Sequence, residues 1–204
     1  VAKNKQKIIH IYNEETDSYS TKNLTLLGEF RQVFANQELV LHWQPKINLN
    51  DNMVCGAEAL IRWLHPDKGL LYPDIFIPYV ESTTLIQPLT SWVIEQSIIQ
   101  GKKWFDEGYN LTVALNISVR NLQEEDIADK IIFIAQANDF PIENVTVEIT
   151  ESAVMNNINK AKIALNRLRD AGIRIAIDDF GTGHSSLTYL KDLPVSDMKI
   201  DKSF

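Results

Sequence analysis

The chain has 204 residues, of which 20 are basic and 27 are acidic, so its formal net charge is −7 at pH 7. With 45% hydrophobic and 23% charged residues, the composition is typical of a globular domain with a substantial core and argues against extended disorder. The acidic excess excludes a protein that coats nucleic-acid polymers, because such proteins carry a basic binding surface.

We expect neither a membrane span nor a secretory signal in this segment. Its apolar runs are shorter than the roughly 18 residues that a membrane span requires, and the basic start VAKNKQKIIHIY lacks a cleavage site for secretion. Cys55 is the only cysteine, so no disulfide can form within the chain. We expect a cytoplasmic domain without membrane contact in this segment, although a longer parent protein could be anchored elsewhere. We also expect Cys55 to be a small buried core residue.

Two zones follow each other along the chain. Residues 1–23 are polar and aperiodic, which indicates the tail of an upstream segment followed by a linker. Residues 24–204 form the main domain, which opens with apolar side chains at helical spacing over 24–34.

Short branched-apolar runs then alternate with longer helical patterns. The predicted strands are 39–44, 54–62, 112–118, 145–150, 174–179 and 198–201, and the predicted helices are 89–107, 123–137, 157–171 and 185–190. Asn121 is predicted to cap the second of these helices and Gly172 to end the third. This alternation predicts an α/β fold with a mainly parallel sheet, either open or closed.

Five of the strands repeat one design. Because side chains alternate between the two faces of a strand, each has a branched apolar face and a second face with a polar group near its carboxyl end. These polar groups are Glu58, Asn116, Glu148, Asp178 and Lys199. Strand ends of this kind converge at the mouth of a (β/α)8 TIM barrel, whereas an open sheet gathers its ligands at one switch point. The barrel is therefore the better interpretation.

Bringing these carboxylates together would favour binding of hard divalent cations. Asn116 adds a neutral oxygen ligand, and the pair Asp178-Asp179 is suited to placing one carboxylate on each of two Mg²⁺ or Mn²⁺ ions for phosphodiester hydrolysis. Lys199 would then be the lone cation that orients a water molecule or stabilises phosphate charge. Any single acid here is more often a salt-bridge or capping residue, but the repeated placement on successive strands favours a functional site.

The segments that carry these residues resemble EAL-domain proteins in order and spacing. They are QP at 44–45, EALIRW at 58–63, HP at 65–66, NIS at 116–118, EITE at 148–151, DDFGTG at 178–183 and KID at 199–201. The resemblance runs from about residue 24 to the end of the chain. It implies a phosphodiesterase that linearises cyclic di-GMP to pGpG with two Mg²⁺ or Mn²⁺ ions, in bacterial second-messenger signalling.

The resemblance also assigns roles to individual residues. Glu58, Asn116, Glu148 and Asp178 look like ligands of one ion, and Asp178 and Asp179 look like ligands of the second. Lys199 resembles the lysine that positions the attacking water, and Glu151 resembles the glutamate that anchors the loop after Asp178. Gln44, Leu60, Arg62 and Asp201 look like contacts to the nucleotide.

The start and the end of the chain carry two further expectations. Residues 1–12 resemble the end of a GGDEF domain, which implies that the parent protein is a GGDEF–EAL tandem. Formation of a homodimer by the parent is a further expectation. A (β/α)8 barrel takes about 250 residues, so we expect about six of its eight strand-helix units here and incomplete activity from this chain alone.

Two other functions stay open. One is a catalytically inactive cyclic di-GMP receptor or regulatory domain that uses the same pocket. The other is a scaffold that acts through protein contacts, which would not need the intact carboxylate set.

Overall fold

The computed structural model describes residues 21–124, 126–151, 158–181, 193–201 and 203. The tail with the GGDEF resemblance, the predicted helix 185–190 and most of the glycine-rich loop lie outside these residues. The elements, in chain order, are α1 (Thr21–Phe30), β1 (Leu39–Asn48), β2 (Met53–His65), β3 (Gly69–Leu71), α2 (Pro73–Val80), α3 (Ile86–Asp106), β4 (Thr112–Asn116), α4 (Val119–Leu122), α5 (Ile127–Ala137), a 3-10 turn (Ile142–Asn144), β5 (Val145–Thr150), α6 (Ile158–Asp170), β6 (Arg174–Phe180) and β7 (Asp197–Ile200).

The chain divides into two compact units, Leu41–Ile61 with Ile86–Phe204 and Val1–Val40 with Arg62–Leu85. In the sheet the strands follow the order β1-β2-β4-β5-β6-β7, and each neighbouring pair from β2 onward is parallel. Sequential parallel strands require a crossover, and α3, α5 and α6 lie in the crossovers before β4, β5 and β6. The predicted α/β fold with a mainly parallel sheet, consistent with part of a TIM barrel, is confirmed.

The core of the larger unit lies between the sheet and these helices. The apolar faces of β4, β5 and β6 are 0–1% exposed and pack against equally buried residues of the three helices. This cluster includes Val113, Leu115, Val145, Val147, Ile175 and Ile177 from the strands, and Ile94, Ile98, Ile127, Ile131, Leu165 and Leu168 from the helices. Each such side chain contributes about 1.5–3 kcal/mol on burial. The alternation predicted for the strands therefore holds the sheet against its helices and leaves the opposite face for polar groups.

The smaller unit is organised around three aromatic rings. Trp63, near the end of β2, is fully buried and packs edge-on against Phe30 of α1 and Phe76 of α2, at ring-centroid distances of 5.1 and 5.7 Å. Its indole Nε1 donates to Glu38 Oε2 at 2.9 Å, which satisfies the polar atom of a buried tryptophan. β2 and β3 pair antiparallel here, with Trp63 opposite Leu71.

Several elements differ from the sequence-based expectations. The first strand continues four residues past its predicted end, to Asn48, and β3 and α2 were not predicted. Asn121 does not cap the helix that follows it. It lies inside α4, which Ser118 caps by accepting a hydrogen bond from the Asn121 amide, while the Asn121 side chain donates to Glu124. Gly172 ends α6 as predicted, with a positive φ of 95°.

The prediction for Cys55 is wrong. Its side chain is exposed near the start of β2, with Sγ 3.4 Å from the carbonyl oxygen of Lys46. The position of Cys55 along the strand explains the difference, because Met53, Val54 and Cys55 are all exposed and burial in this strand begins only at Gly56. Over the described part of the chain, no helix has both the length and the apolar character that crossing a bilayer demands.

Candidate active site

Five parallel strands each contribute one polar side chain to the same face of the sheet. Glu58 lies on β2, Asn116 on β4, Glu148 on β5, Asp178 on β6 and Lys199 on β7. The register places Asn116 directly opposite Glu148, and Asp178 opposite Thr150, two residues beyond Glu148. Strand pairing therefore brings together residues that lie up to 141 positions apart in the sequence.

Lys199 joins three carboxylates from three different strands. Its Nζ donates to Glu58 Oε2 at 3.0 Å, to Glu148 Oε2 at 2.6 Å and to Asp178 Oδ2 at 2.8 Å. One oxygen from each of these acids lies within 4.8 Å of the other two. Three of the four acids that were predicted to share a site, Glu58, Glu148 and Asp178, thus lie in one compact cluster.

The contact between Lys199 and Glu58 shows that the sheet is strongly curved. Four strand spacings separate β2 from β7, which would be about 19 Å in a flat sheet. A lysine and a glutamate side chain cannot span that distance, yet their charged atoms are 3.0 Å apart. The strands therefore curl around the polar face, as the wall of a barrel does.

The environment of Lys199 keeps its ammonium charged. Burial by itself lowers the pKa of this lysine, but its hydrogen bonds with Asp178 and Glu148 and their negative charges outweigh that effect, so the pKa is raised well above its usual value. Lys199 is not the lone cation that was predicted, because Lys46 also contacts Glu148. Among the described residues, three carboxylates nevertheless face only these two ammonium groups, so the cluster keeps an excess of negative charge. Such an excess favours a further cation.

Glu148 is the most deeply buried acid of the cluster, and its two oxygens have different partners. Its side chain is 0% exposed; Oε2 accepts from Lys199 and Oε1 accepts from Lys46 at 2.5 Å. Lys46 was missed from the sequence because the first strand was predicted to end at Gln44. Once β1 extends to Asn48, alternation places Lys46 on the same face as Gln44.

Asn116 contacts Glu58, the acid on the neighbouring strand. Its Nδ2 donates to Glu58 Oε1 at 2.9 Å. The same amide carries a carbonyl oxygen, so this side chain can also offer an oxygen ligand to a cation after rotation of the amide.

The end of β6 departs from regular strand geometry. Asp179 has a φ of 54°, and the pairing of β6 with β7 shifts register between Ile177 and Phe180. The Asp179 amide donates to Asp178 Oδ1 at 2.9 Å. A positive φ in a residue other than glycine is unusual and is commonly found at functional sites. This irregularity breaks the alternation that would otherwise place adjacent aspartates on opposite faces.

Asp179 lies outside the three-carboxylate cluster but within reach of its charges. Partial burial, followed by the negative charges of Asp178, Asp201 and Glu58, raises its pKa, and Lys199 opposes this shift. The raised pKa means that partial burial and the neighbouring negative charges both disfavour the ionised form of Asp179. A cation beside Asp179 would relieve that repulsion.

Glu151 links the end of β5 to the residue that follows β6. Its side chain is buried, and Oε2 accepts a hydrogen bond from the backbone amide of Gly181 at 3.3 Å. Gly181 begins the glycine-rich segment, and residues 182–186 of that segment lie outside the described residues. This contact is of the type expected for a residue that anchors the segment.

The four predicted nucleotide contacts occupy different environments. Gln44 on β1 is exposed, Leu60 on β2 is half-buried, and half-buried Asp201 accepts from the Ser203 amide at 2.8 Å. Arg62 belongs to the smaller unit, where its guanidinium lies over the ring of Tyr72, 4.6 Å from the centroid. Their role in nucleotide binding stays a prediction.

Close approach of β2 and β4 depends on Gly56, two residues before Glu58. A Cβ atom at Gly56 would lie 2.1 Å from Thr112 Oγ1 and 2.8 Å from the Thr112 carbonyl oxygen. We expect Gly56→Ala to destabilise the protein by about 1–3 kcal/mol, because overpacking forces the strands apart. Urea denaturation measures this change.

Gly28→Ala is the matched control, since no atom lies within 4 Å of a Cβ at that position in α1. It should be neutral or stabilising by up to about 1 kcal/mol, because alanine is the better helix former. Equal stability of the two variants would contradict the tight spacing of β2 and β4.

The donor set fits a divalent cation. Carboxylate and amide oxygens are the ligands that Mg²⁺ and Mn²⁺ prefer, and the cluster already surrounds one positive group with oxygens from Glu58, Glu148 and Asp178. Because these oxygens lie on curved, paired strands rather than on loops, their arrangement is preorganised for ligation.

Comparison with known proteins matches residues 28–204 to the EAL domain. The signaling protein YkoW of Bacillus subtilis (strain 168) is 42% identical over 202 residues, which is 99% of this chain and 25% of YkoW. The cyclic di-GMP phosphodiesterase PdeR of Escherichia coli (strain K12) is 37% identical over 194 residues, which is 95% of this chain and 29% of PdeR. The chain thus spans between a quarter and a third of the length of these relatives.

A solved structure agrees with this match. The PaMucR phosphodiesterase in its c-di-GMP complex superimposes with a TM-score of 0.84 at 37% identity, covering 88% of this chain and 73% of that chain.

Proposed function

The chain belongs to the EAL domain family, and we propose that it provides the catalytic face of a metal-dependent phosphodiesterase that hydrolyses cyclic di-GMP to linear pGpG. The observation that carries this proposal is the cluster of Glu58, Glu148 and Asp178 around Lys199. It is supported by the relatives named as cyclic di-GMP phosphodiesterases and by the c-di-GMP complex of PaMucR.

Two Mg²⁺ or Mn²⁺ ions are the proposed cofactors. Glu58, Asn116, Glu148 and Asp178 would hold one ion, and Asp178 and Asp179 would hold the second. When bound, such ions supply Lewis-acid activation of water and neutralise the charge of the phosphodiester. The proposal is supported by oxygen donors on four neighbouring strands and by the negative charges of Asp178, Asp201 and Glu58 near Asp179.

The residues of the chain then bind the substrate and stabilise charge. Hydrolysis adds a water oxygen to phosphorus as the bond from phosphorus to the 3′ oxygen breaks, and the leaving oxygen takes up a proton. Lys199, whose raised pKa keeps it protonated, is suited to orient the water and to stabilise the negative charge that develops on the phosphoryl oxygens. Glu58 and Glu148 hold the lysine ammonium in place through the contacts described above.

Nucleotide contacts are proposed for Gln44, Leu60, Arg62 and Asp201. A guanidinium can grip a phosphate by its planar fork, and Arg62 is already ordered against Tyr72. Gln44 has an exposed amide that can both donate to and accept from a base edge.

Chromatographic analysis of products after mixing the intact protein with cyclic di-GMP and Mn²⁺ tests the proposed function. We expect linear pGpG with Mn²⁺ and no product with EDTA. Tight binding of the nucleotide without product would instead support the receptor function, and absence of binding would support the scaffold.

Glu151 is proposed to position the glycine-rich segment rather than to contact the reacting atoms. Glu151→Ala removes the acceptor for the Gly181 amide, so kcat should fall by about 10- to 100-fold, the range for residues that orient a metal site. Glu151→Gln should recover part of this loss, because its amide oxygen can still accept the hydrogen bond. Steady-state kinetics with both variants measures the difference; equal loss in both would contradict the positioning role.

We also propose a tandem organisation for the parent protein. Residues 1–23 would be the tail of an upstream GGDEF-like domain plus a linker, and residues 24–204 would belong to a cytoplasmic EAL domain that can form a homodimer. Support comes from the much greater length of the curated relatives. Sequencing the gene upstream of this segment tests the tandem arrangement directly, and sedimentation of the intact protein tests the homodimer.

A further inference from the structure

Lys46 places a second ammonium against the acidic cluster. Its Nζ lies 2.5 Å from Glu148 Oε1, while Lys199 occupies Oε2 of the same carboxylate. The Glu148 side chain is 0% exposed, so water does not solvate its charge, and the two ammonium groups provide the compensation that a buried carboxylate requires.

The two lysines differ in their relation to the cluster. Lys199 contacts three carboxylates and so bridges the whole cluster. Among the described residues, Lys46 contacts one carboxylate, that of Glu148. Lys46 is also partly exposed, at 32% of its side chain, and it comes from β1, which lies beyond β2 and β4 when counted from β5. It can therefore move towards solvent without disturbing Glu58 or Asp178.

We propose that Lys46 is a built-in competitor for Glu148 that weakens divalent-cation binding at the cluster and so sets the metal concentration at which the site fills. This inference rests on the proposed function, since it concerns the cation that Glu148 would ligate.

The physical reason is repulsion between like charges that share one ligand. A cation that binds Glu148 must either displace the Lys46 ammonium from Oε1 or tolerate it on the same carboxylate. A charge within about 4–6 Å commonly changes the proton affinity of a site by 1–3 pKa units. We expect a similar effect on a divalent cation, whose larger charge is repelled more strongly.

Lys46→Gln separates the effect of charge from that of the hydrogen bond. The glutamine amide can still donate to Glu148 Oε1, so the carboxylate keeps a hydrogen-bonding partner while the positive charge is lost. Lys46→Arg retains the charge. Lys102→Gln is the matched control, because it makes the same change in net charge at a lysine that pairs with Asp106 on the same helix.

Direct titration of the intact protein with Mn²⁺, in which electron paramagnetic resonance reports the free ion, provides the test without any turnover. We expect the dissociation constant of Lys46→Gln to be at least about tenfold lower than that of the wild type, the lower end of the range for a neighbouring charge. Lys46→Arg and Lys102→Gln should stay close to the wild-type value. Addition of Mn²⁺ should also raise the thermal midpoint more for Lys46→Gln than for the wild type.

The outcomes separate this inference from the proposed function. Equal or weaker Mn²⁺ binding by Lys46→Gln, with clear binding by the wild type, would overturn the competitor role and show that the lysine positions Glu148 instead. That result would leave the proposed function standing. Failure of both proteins to bind Mn²⁺ would overturn the inference and the proposed metal site together.

Discussion

Glu58→Gln is expected to reduce turnover of cyclic di-GMP by about 10²- to 10³-fold, the loss typical of removing one electrostatic contact to a transition state. Both oxygens of Glu58 accept hydrogen bonds, Oε1 from Asn116 and Oε2 from Lys199. Glutamine has nearly the same shape but no charge, so it should weaken ligation of a cation and leave the ammonium less firmly held. Steady-state rates of pGpG formation at saturating Mn²⁺ measure the effect.

The fold should survive this substitution, because Glu58 is partly accessible and Glu148 and Asp178 continue to neutralise Lys199. Glu107→Gln, at an exposed position after α3, is the control for loss of one acidic charge and should retain wild-type activity. Full activity of Glu58→Gln, with an unchanged circular dichroism spectrum, would remove Glu58 from the proposed set of metal ligands.

Lys199→Met is expected to have the largest effect on stability. It removes the cation that three carboxylates share, and it leaves fully buried Glu148 with Lys46 as its remaining ammonium partner among the described residues. Breaking a buried ion pair by removing one partner typically costs about 3–5 kcal/mol. Urea denaturation in EDTA measures this loss, and Mn²⁺ should restore a larger part of the stability in the variant than it adds to the wild type.

The pKa of Lys199 fixes the pH range over which this stabilisation operates. Because the folded protein holds the lysine proton more tightly than the unfolded chain, the contribution is complete at neutral pH and is lost only under strongly alkaline conditions. Lys130→Met, which removes a lysine 3.8 Å from Glu124, should change stability little. If Lys199→Met were as stable as this control in EDTA, Lys199 could not be the cation that neutralises the cluster.

The placement of the site was predictable from the alternation of side chains between the two faces of each strand. One polar residue on the same face of each of five successive strands predicted that distant acids would meet, and the parallel pairing of β2, β4, β5 and β6 brings Glu58, Asn116, Glu148 and Asp178 together. This alternation is predictive for β4, β5 and β6 because one face of each strand is buried in the core, so the side chains of the other face have no freedom of orientation. On β7 the apolar side chains Met198 and Ile200 are exposed, so the expected core contact is not made there.

Features at the ends of strands and helices could not be predicted from this alternation. Lys46 was missed because the first strand was predicted to end at Gln44, whereas the observed strand continues through Pro45 to Asn48. The positive φ of Asp179 has no signature in the sequence, since aspartate tolerates that conformation but does not require it. Asn121 resembles a cap before the acidic residues that follow, yet Ser118 takes that role in the turn before it.

The proposed metal-dependent mechanism depends most directly on where a cation binds. Anomalous diffraction at the manganese edge from crystals of the intact protein with cyclic di-GMP and Mn²⁺ would locate it. We predict a peak bounded by Glu58, Asn116, Glu148 and Asp178, and a second beside Asp178 and Asp179. Bound nucleotide without a peak at the cluster, and with Lys199 still joined to Glu58, Glu148 and Asp178, would contradict the metal-dependent mechanism.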